Sequence, residues 1–328
     1  MVSLKSYNSF GIDVLAPHFI TITKMESLAE LPTQQNIRVL GCGTNVLFTQ
    51  QPEELIVHMS NKECEILEEN DKDVVVSFGA GWIWHEVVLW ALDRNLGGIE
   101  NLSLVPGTIG AAPVQNIGAY GVELKDVLVR VEGFDLVNRK FISIDHQGCH
   151  FSYRDSIFKN ELKNKFIIGK VSLRFQKQPV LNLEYGAIRE KLKEKNYNHP
   201  TIRQVSEVVM EIRREKLPDP LVLGNAGSFF KNVSVNEQQF QLIKEKFPSI
   251  PGYDQGDGLV KIPTGWLIEQ CGWKGKRIGS VGCYEKQALV LVNFGTASGA
   301  EIWSFAKQIM DSVKDKFGLE IQAEVNIW

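Results

Sequence analysis

The chain has 328 residues, 44% of them hydrophobic and 23% charged, with a formal net charge of −3 at pH 7. This composition is ordinary for a globular protein, and the length predicts two or three domains. The basic residues are scattered and no apolar run approaches the roughly 20 residues of a membrane span, so neither nucleic acid nor membrane is expected as a partner.

The first residues and the cysteines indicate a compartment. The range 1–19 lacks the basic, apolar and small-residue order of a signal peptide. Five cysteines, at positions 42, 64, 149, 271 and 283, form no C-x-x-C pair. Reduced thiols are typical of the cytosol, so we expect a cytoplasmic protein.

The first half of the chain reads as strands around glycine loops. The stretch 36–48, NIRVLGCGTNVLF, predicts a strand, a glycine loop and a strand. The stretch 73–98 predicts a buried strand, a turn and an amphipathic helix that stops at Gly97. Its apolar face comprises Ile83, Trp84, Val87, Val88, Ala91 and Leu92. A long loop of small residues follows, and then three strands of an antiparallel sheet are predicted, at 127–136, 139–145 and 165–175.

The second half predicts a compact α+β unit. The charged stretch 189–201, REKLKEKNYNHPT, is interpreted as a domain linker. Helices are predicted at 205–217, 265–273 and 301–317, and strands at 288–294 and 319–328. The helix at 205–217 has an apolar face made of Val205, Val208, Val209 and Ile212.

Two glycine loops, GCGTN and PGTIGAAPVQNIGAYG, carry the strongest chemical signal. Successive N–H groups in such loops can form a concave site for a diphosphate. Neither loop is a G-x-G-x-x-G fingerprint before a helix, and there is no P-loop. A tight turn is the alternative for either loop alone, but the length of the second loop favours a function.

The stretch 224–232, GNAGSFFKN, places Ser228 in a glycine-rich turn. The stretch is not the G-x-S-x-G elbow of a hydrolase nucleophile. A general acid needs polar or cationic neighbours, which Lys216, Lys231 and Asn232 could supply. On the residues alone, a structural turn is favoured.

Two further charged residues have open interpretations. Arg154, in SYRDSIFK, could fork onto a carboxylate substrate or pair with Asp155. Strand alternation places Glu324 on the opposite face from Ala323 and Val325, and a solvated edge residue is the alternative to a site residue.

The sequence HQGCH, with His146 and His150 around Cys149, invites a zinc interpretation. No third and fourth ligand follow at the usual spacing, and Gly148 interrupts any helix. A surface turn is favoured, and no metal is expected.

Eight segments, in this order and over nearly the whole chain, resemble the UDP-N-acetylenolpyruvoylglucosamine reductase (MurB) family, flavoenzymes of bacterial peptidoglycan synthesis. They are GCGTNVLF, PGTIGAAPVQNIGAYGVEL, SYRDSIFK, REKLPDP, GNAGSFFKN, WLIEQCGWKG, KQALVLVN and AEV. One such segment would be weak, but eight together are specific. The tyrosine-containing segment LNLEYGAIRE resembles the longer of the family's two types.

The resemblance implies an α+β fold. It consists of an FAD-binding domain of the vanillyl-alcohol-oxidase (PCMH) type in two subdomains, and an α+β substrate-binding domain. The implied boundaries are 1–66 and 67–200 for the FAD-binding subdomains and 201–328 for the substrate-binding domain, with the last strand returning to the active site.

The resemblance also implies non-covalent FAD, with NADPH as co-substrate. The residues that match the family's cofactor-lining positions are Gly41, Cys42, Gly43, Thr44, Asn45, Val46, Pro106, Gly107, Thr108, Ile109, Gly110, Ala111, Gln115, Asn116, Ile117, Gly118 and Arg213. Asn326 stands where many relatives have an arginine, so a flavin contact at that position is left open.

The family reaction implies roles for the remaining residues. Hydride passes from NADPH to FAD N5 and then to C3 of an enolpyruvyl UDP-sugar, which becomes UDP-N-acetylmuramate after protonation at C2. Ser228 matches the proton donor, and Arg154 and Glu324 match the pair that stabilises the developing enolate. The positions that match the substrate site are Tyr120, Tyr185, Lys216, Asn232, Lys274 and Gln287. The UDP-sugar and NADPH are the expected partners of a monomer.

Overall fold

The computed structural model describes all residues from 1 to 328, and short strands dominate it. The strands are β1 Val2–Ser3, β2 Leu15–Ala16, β3 His18–Ile22, β4 Ile37–Leu40, β5 Val46–Leu47, β6 Leu55–Met59, β7 Cys64–Glu69, β8 Asp73–Gly79, β9 Gly118–Ala119, β10 Val122–Glu123, β11 Leu128–Asp135, β12 Lys140–Asp145, β13 Phe166–Gln176, β14 Gly224–Ser228, β15 Val233–Asn236, β16 Tyr253–Asp254, β17 Leu259–Ile262, β18 Arg277–Ile278, β19 Val281–Cys283, β20 Val290–Asn293 and β21 Asn326–Ile327.

Six α-helices separate these strands. They are α1 Trp84–Leu92, α2 Gly186–Glu194, α3 Ile202–Lys216, α4 Glu237–Lys246, α5 Thr264–Gln270 and α6 Gly299–Phe317. None of them combines the length and the apolar character that a membrane-crossing helix requires.

The chain divides into two compact units. Unit 1 comprises residues 1–2, 16–42 and 53–215. Unit 2 comprises residues 3–15, 43–52 and 216–328. The first glycine loop therefore contributes residues to both units.

Unit 1 contains a parallel sheet, in the order β3-β6-β4, and an antiparallel sheet, in the order β12-β11-β13-β8-β7. Alternate residues of β8, such as Val74, Val76 and Phe78, are buried in the same core as Trp84 and Val88 of α1. The two-residue period of the strands thus meets the 3.6-residue period of the helix across one apolar layer. The predicted strand–loop–strand at 36–48 and the predicted antiparallel strands are confirmed.

The predicted end of the first helix at Gly97 is wrong. Helix α1 ends at Leu92, and Asn95 adopts a left-handed φ of 54°. Asparagine accepts this conformation at the lowest cost after glycine, so it ends the turn before Gly97 is reached. The apolar face of the helix is otherwise as predicted, except that Ile83 is half-buried.

The predicted linker at 189–201 is also wrong, because its first half continues helix α2. Ile188 and Leu192 are buried against Val205 and Val209 of α3. The charges that suggest a linker form the outer face of the helix, where Lys191 contacts Glu215 at 2.8 Å. An amphipathic helix with few apolar residues resembles a linker in composition, and only the four-residue spacing of the two apolar residues distinguishes it.

Unit 2 contains two antiparallel sheets, in the orders β14-β20-β19-β18 and β15-β17-β16, and the parallel pair β21-β5. Helix α6 ends at Phe317, as its sequence predicts, and begins at Gly299, two residues before the predicted start. Ser298 and Glu301 form a capping box at its start, and Gly318 ends it with a left-handed φ of 69°.

Two local predictions in unit 2 need correction. GNAGSFFKN is not a turn, because Gly224–Ser228 forms strand β14, whose pairing with β20 shifts between Asn225 and Ser228. Gly227, with φ 68°, lies in this irregular segment. The terminal strand is shorter than 319–328: only Asn326–Ile327 is a strand, and Ala323 forms an isolated bridge with Phe230.

The first residues of helices α6 and α2 give a matched test of packing. A Cβ on Gly299 would overlap the backbone carbonyl of Phe48, whereas one on Gly186 would meet nothing within 4 Å. We expect Gly299→Ala to destabilise the protein by about 1–3 kcal/mol, as overpacking does. Gly186→Ala should be neutral or stabilising by up to about 1 kcal/mol. Chemical denaturation of both variants checks this, and equal midpoints would contradict the packing described.

Candidate active site

The two predicted glycine loops meet in unit 1. A Cβ built on Gly41 would lie 2.5 Å from Thr108 Oγ1, and Thr108 is buried. The loops therefore contact each other at a position that only glycine fits. Gly107, next to Thr108, has a φ of 109°, which also favours glycine.

The part of the first loop that lies in unit 2 is equally constrained. Gly43 has a φ of 59°, and a Cβ there would overlap the backbone carbonyl of Tyr7. The Gly43 carbonyl accepts a hydrogen bond from the N–H of Ser9 at 3.2 Å. These contacts hold the loop from one side only.

Main-chain donors remain available on both loops. No hydrogen bond within either unit uses the N–H groups of Gly41, Cys42, Gly43 or Thr44, or those of Gly107 and Thr108. Burial raises the pKa of the Cys42 thiol, which therefore stays uncharged beside these donors. A run of N–H groups with no competing anion suits a diphosphate, so the residues fit the FAD that the sequence predicts.

Other residues on the predicted cofactor-lining positions are packed inside the protein. Ile109 and Ile117 are buried. Asn116 is fully buried, and its amide nitrogen donates to Glu123 Oε2 at 3.0 Å and to the Ser152 carbonyl at 3.2 Å. The side chain of Asn116 therefore holds the polypeptide together rather than facing a ligand.

Asn116 fixes the tight turn that presents Arg154. The N–H groups and carbonyls of Ser152 and Asp155 exchange hydrogen bonds at 3.2 Å across this turn, and Arg154 has a left-handed φ of 54°. Arg154 Nη2 donates to the Gly118 carbonyl at 2.8 Å. The alternative role for Arg154 was an ion pair with Asp155. The Asp155 carboxylate instead accepts hydrogen bonds from the Asn160 amide, at 3.0 Å and 3.1 Å.

Arg154 belongs to a cluster of aromatic and cationic groups in unit 1. Burial lowers the pKa of Arg213, Tyr120 raises it through charge and hydrogen bonding, and the like charge of Arg154 lowers it further. Burial raises the pKa of the Tyr120 phenol, which the neighbouring Arg213 partly offsets. The Tyr120 and Tyr185 rings meet edge to face at 5.0 Å. Arg154 and Arg213 bring two positive charges to this cluster, which favours the binding of an anion.

A backbone hydrogen bond connects the segments that carry Ser228 and Glu324 in unit 2. The Glu324 N–H donates to the carbonyl of Phe229, the residue after Ser228, at 2.8 Å. Phe229 is fully buried, and its ring packs edge to face against the ring of Phe10, with 6.3 Å between the ring centroids. Ser228 and Glu324 are both half-buried, and the Ser228 hydroxyl makes no hydrogen bond within the unit. Glu324 is therefore less exposed than a fully solvated edge residue would be.

The chain terminus also holds the first glycine loop. Asn326 donates to the Asn45 carbonyl from both its backbone N–H and its side-chain amide, each at 3.0 Å. The Asn45 amide donates back to the Glu324 carbonyl at 3.3 Å. The side chain of Asn326 therefore acts on the loop backbone, which links Glu324 to a predicted cofactor residue.

Of the predicted UDP-binding residues, Tyr185 lies in unit 1 and the other four lie in unit 2. Asn232 Oδ1 accepts from the N–H of Thr264 at 3.1 Å, at the start of α5. Lys274 pairs with Glu269 at 3.0 Å, and Gln287 accepts from the Leu289 N–H at 3.3 Å. Lys216, the last residue of α3, is exposed.

Asn101 is a further residue of the candidate site, and no motif in the sequence points to it. Asn101 is buried, and its amide donates to the carbonyls of Tyr120 and Asn182, each at 2.9 Å. It connects the loop of Tyr120 to the segment that carries Tyr185. The surrounding stretch IENLSL mixes polar and apolar residues, so no local pattern marks Asn101.

The loops with available main-chain donors define the class of this protein. Residues 26–139 match the model of an FAD binding domain, and the chain is an FAD-dependent oxidoreductase with NADPH as reductant. The predicted cofactor and fold class are confirmed.

More specifically, the chain belongs to the UDP-N-acetylenolpyruvoylglucosamine reductase family. Residues 219–328 match the model of that family's C-terminal domain. The reductases of Flavobacterium johnsoniae and Pseudomonas aeruginosa are each 45% identical to this chain, with 99% of this chain and 98% and 97% of theirs covered. The crystal structure of the Thermus caldophilus MurB matches with a TM-score of 0.71 at 22% identity, over 100% of this chain and 97% of that one, and supports the fold.

The contact between the glycine loops predicts a rescue experiment. Gly41→Ala should push Thr108 aside and weaken FAD binding by about 1–3 kcal/mol, the usual effect of overpacking. Adding Thr108→Ala removes the overlapping atoms and should restore most of the affinity lost in Gly41→Ala.

Flavin fluorescence titration of both variants, with Thr108→Ala alone as the control, measures the affinities. If the double variant binds FAD no better than Gly41→Ala, the loops do not meet as described.

Proposed function

We propose that this chain reduces UDP-N-acetyl-3-O-(1-carboxyvinyl)-glucosamine to UDP-N-acetylmuramate in peptidoglycan precursor synthesis. Relatives at 45% identity over nearly the full length carry the name of this reductase. The single observation that carries the proposal is the hydrogen bond between the Glu324 N–H and the Phe229 carbonyl, at 2.8 Å. It joins the segment that contains Ser228 to the segment that contains Glu324, the two residues that match the family's proton donor and acidic site residue.

Bound FAD supplies hydride transfer from NADPH to C3 of the enolpyruvyl group. The task of the protein is then to deliver a proton to C2. Ser228 suits this task because its hydroxyl makes no hydrogen bond within unit 2, while the backbone on either side is fixed. The next residue, Phe229, donates its N–H to the Leu289 carbonyl at 2.7 Å. A hydroxyl on so constrained a strand can be aimed at one atom.

Negative charge that builds on the substrate carboxylate must be stabilised. We assign this to Arg154 and Glu324. The Arg154 guanidinium already donates to the Gly118 carbonyl from one nitrogen at 2.8 Å, which fixes its plane. A fixed guanidinium can fork onto a carboxylate without reorganising when charge develops.

The remaining assignments concern binding. Lys216, Asn232, Lys274 and Gln287 hold the UDP portion with Tyr185, and Tyr120 lines the substrate pocket. FAD is held non-covalently by the two glycine loops together with Arg213, which lies beside Tyr120. The three-part division at 66 and 200, a monomer and a cytoplasmic location remain predictions.

Two other functions predict different behaviour. An oxidase of a sugar or alcohol on the same scaffold would reduce its flavin with substrate rather than with NADPH. A nucleotide-sugar binding module would purify without a flavin spectrum. Anaerobic stopped-flow with NADPH, followed by the enolpyruvyl nucleotide, separates all three. The proposal fails if the enolpyruvyl nucleotide does not reoxidise the reduced enzyme.

Ser228→Ala should separate the two halves of the reaction. Reduction by NADPH needs no proton from Ser228 and should be unchanged. Reoxidation by the enolpyruvyl nucleotide should slow by roughly 10²–10⁴-fold, as for a lost acid catalyst. Single-turnover absorbance measures both rates on one sample, and loss of the NADPH step instead would refute the assigned role.

Arg154→Lys keeps the positive charge but loses the two parallel N–H donors of the guanidinium. We expect it to slow reoxidation as well, because an ammonium is a point charge that cannot form two parallel hydrogen bonds with a carboxylate. Arg203→Lys, on an exposed pair with Asp93, is the matched control and should behave as the parent enzyme. Equal rates in Arg154→Lys and the parent would contradict the assignment.

A further inference from the structure

His85 accepts a hydrogen bond that the reaction does not explain. Its Nδ1 lies 3.1 Å from the backbone N–H of Leu104. A histidine can accept at Nδ1 only when that nitrogen carries no proton, so His85 is neutral with its proton on Nε2. Nε2 makes no hydrogen bond within unit 1.

Leu104 needs this partner because its backbone is strained. It has a left-handed φ of 55°, which a branched apolar side chain rarely adopts. Leu104 is half-buried, so its N–H cannot be left without an acceptor at low cost. The His85 hydrogen bond therefore stabilises a conformation that the leucine itself disfavours.

The strained residue leads directly into the second glycine loop. The start of α1 holds this whole segment: the Trp84 N–H donates to the Gly107 carbonyl at 2.9 Å, and Trp84 Nε1 donates to the Leu102 carbonyl at 3.0 Å. The Ile109 N–H donates to the Trp82 carbonyl at 2.8 Å. Trp84 and His85 are the side chains that hydrogen-bond to this segment. Of these two, only the imidazole of His85 can lose its hydrogen bond by gaining a proton.

We propose that His85 is a positioning residue that keeps the segment from Leu104 to Thr108 in the shape that binds FAD, and that protonation of His85 releases FAD. The ligand is the cofactor, so the inference does not depend on the identity of the substrate.

The charges around His85 set the pH range. Arg213 and Arg214, both on α3, act on the His85 ring through their positive charge. Burial first, and then the two arginines, lower the pKa of His85 below its ordinary value of 6.5. A lowered pKa means that the neutral form persists at neutral pH. FAD retention should therefore be complete above the ordinary histidine pKa and be lost as the pH falls through the lowered value.

Two amide variants separate the two ring nitrogens. In His85→Asn the amide oxygen takes the place of Nδ1, so the acceptor remains and cannot titrate. In His85→Gln the longer side chain carries its polar atoms toward the position of Nε2 instead. His18→Asn, at an exposed histidine of β3, is the control.

The measurement is FAD retained by the holoenzyme after gel filtration, from mildly alkaline to mildly acidic pH, with thermal unfolding of each variant. We expect the parent and His18→Asn to release FAD on the acid side, and His85→Asn to retain it there. His85→Gln should bind FAD about five- to tenfold more weakly at every pH, the factor typical of one lost hydrogen bond.

Three outcomes would overturn the proposal. One is acid release by His85→Asn at the pH of the parent. The second is full retention by His85→Gln with loss in His85→Asn, which would assign the role to Nε2. The third is an equal fall in the unfolding temperature and in FAD retention in both variants, which would mean that the ring only packs. None of them bears on the reduction proposed above, because that reaction is measured on enzyme already loaded with FAD at neutral pH.

Discussion

Backbone N–H groups that donate to nothing in the protein need a ligand or water, and this chain collects them on two glycine loops. The loops can adopt this arrangement because glycine has no side chain. Gly41 lies so close to Thr108 that a Cβ would stand 2.5 Å from its hydroxyl, and the left-handed Gly43 leaves no room beside the Tyr7 carbonyl. Close packing therefore fixes the backbone of both loops, while their main-chain N–H groups remain available to a ligand. The fit to a diphosphate follows from this geometry rather than from any charged side chain.

The elements that fix these loops also carry or position the chemistry. The start of α1 holds the second loop through Trp84 and His85. The terminal segment holds the first loop through Asn326 and, two residues earlier, carries Glu324. A change that loosens the terminus would therefore disturb both the cofactor loop and the carboxylate. Under the proposed function, this coupling gives the segment from Glu324 to Asn326 a role at the site, although only Asn326–Ile327 forms a strand.

Periodic segments could be predicted from the sequence, and irregular ones could not. The helix at 205–217 and the sheet strands follow from the spacing of apolar residues alone. Glycine content suggested a turn at 224–232, but it marks a bulged strand, because glycine's freedom serves both and only pairing with β20 decides. Helix α2 resembled a linker because just two of its residues are buried. The two glycine loops and Ser228 lie in motifs of one family, so roles for them could be proposed from the sequence. Asn101 and His85 could not, since their roles rest on hydrogen bonds to the backbone of distant residues, which no local pattern encodes.

A crystal structure of the protein with FAD and the enolpyruvyl nucleotide would test the central claim most directly. The account predicts diphosphate oxygens within about 3.2 Å of main-chain nitrogens on both glycine loops, and the Ser228 hydroxyl turned toward C2 of the nucleotide. A diphosphate bound by side chains elsewhere, or a Ser228 hydroxyl that faces bulk water, would contradict it.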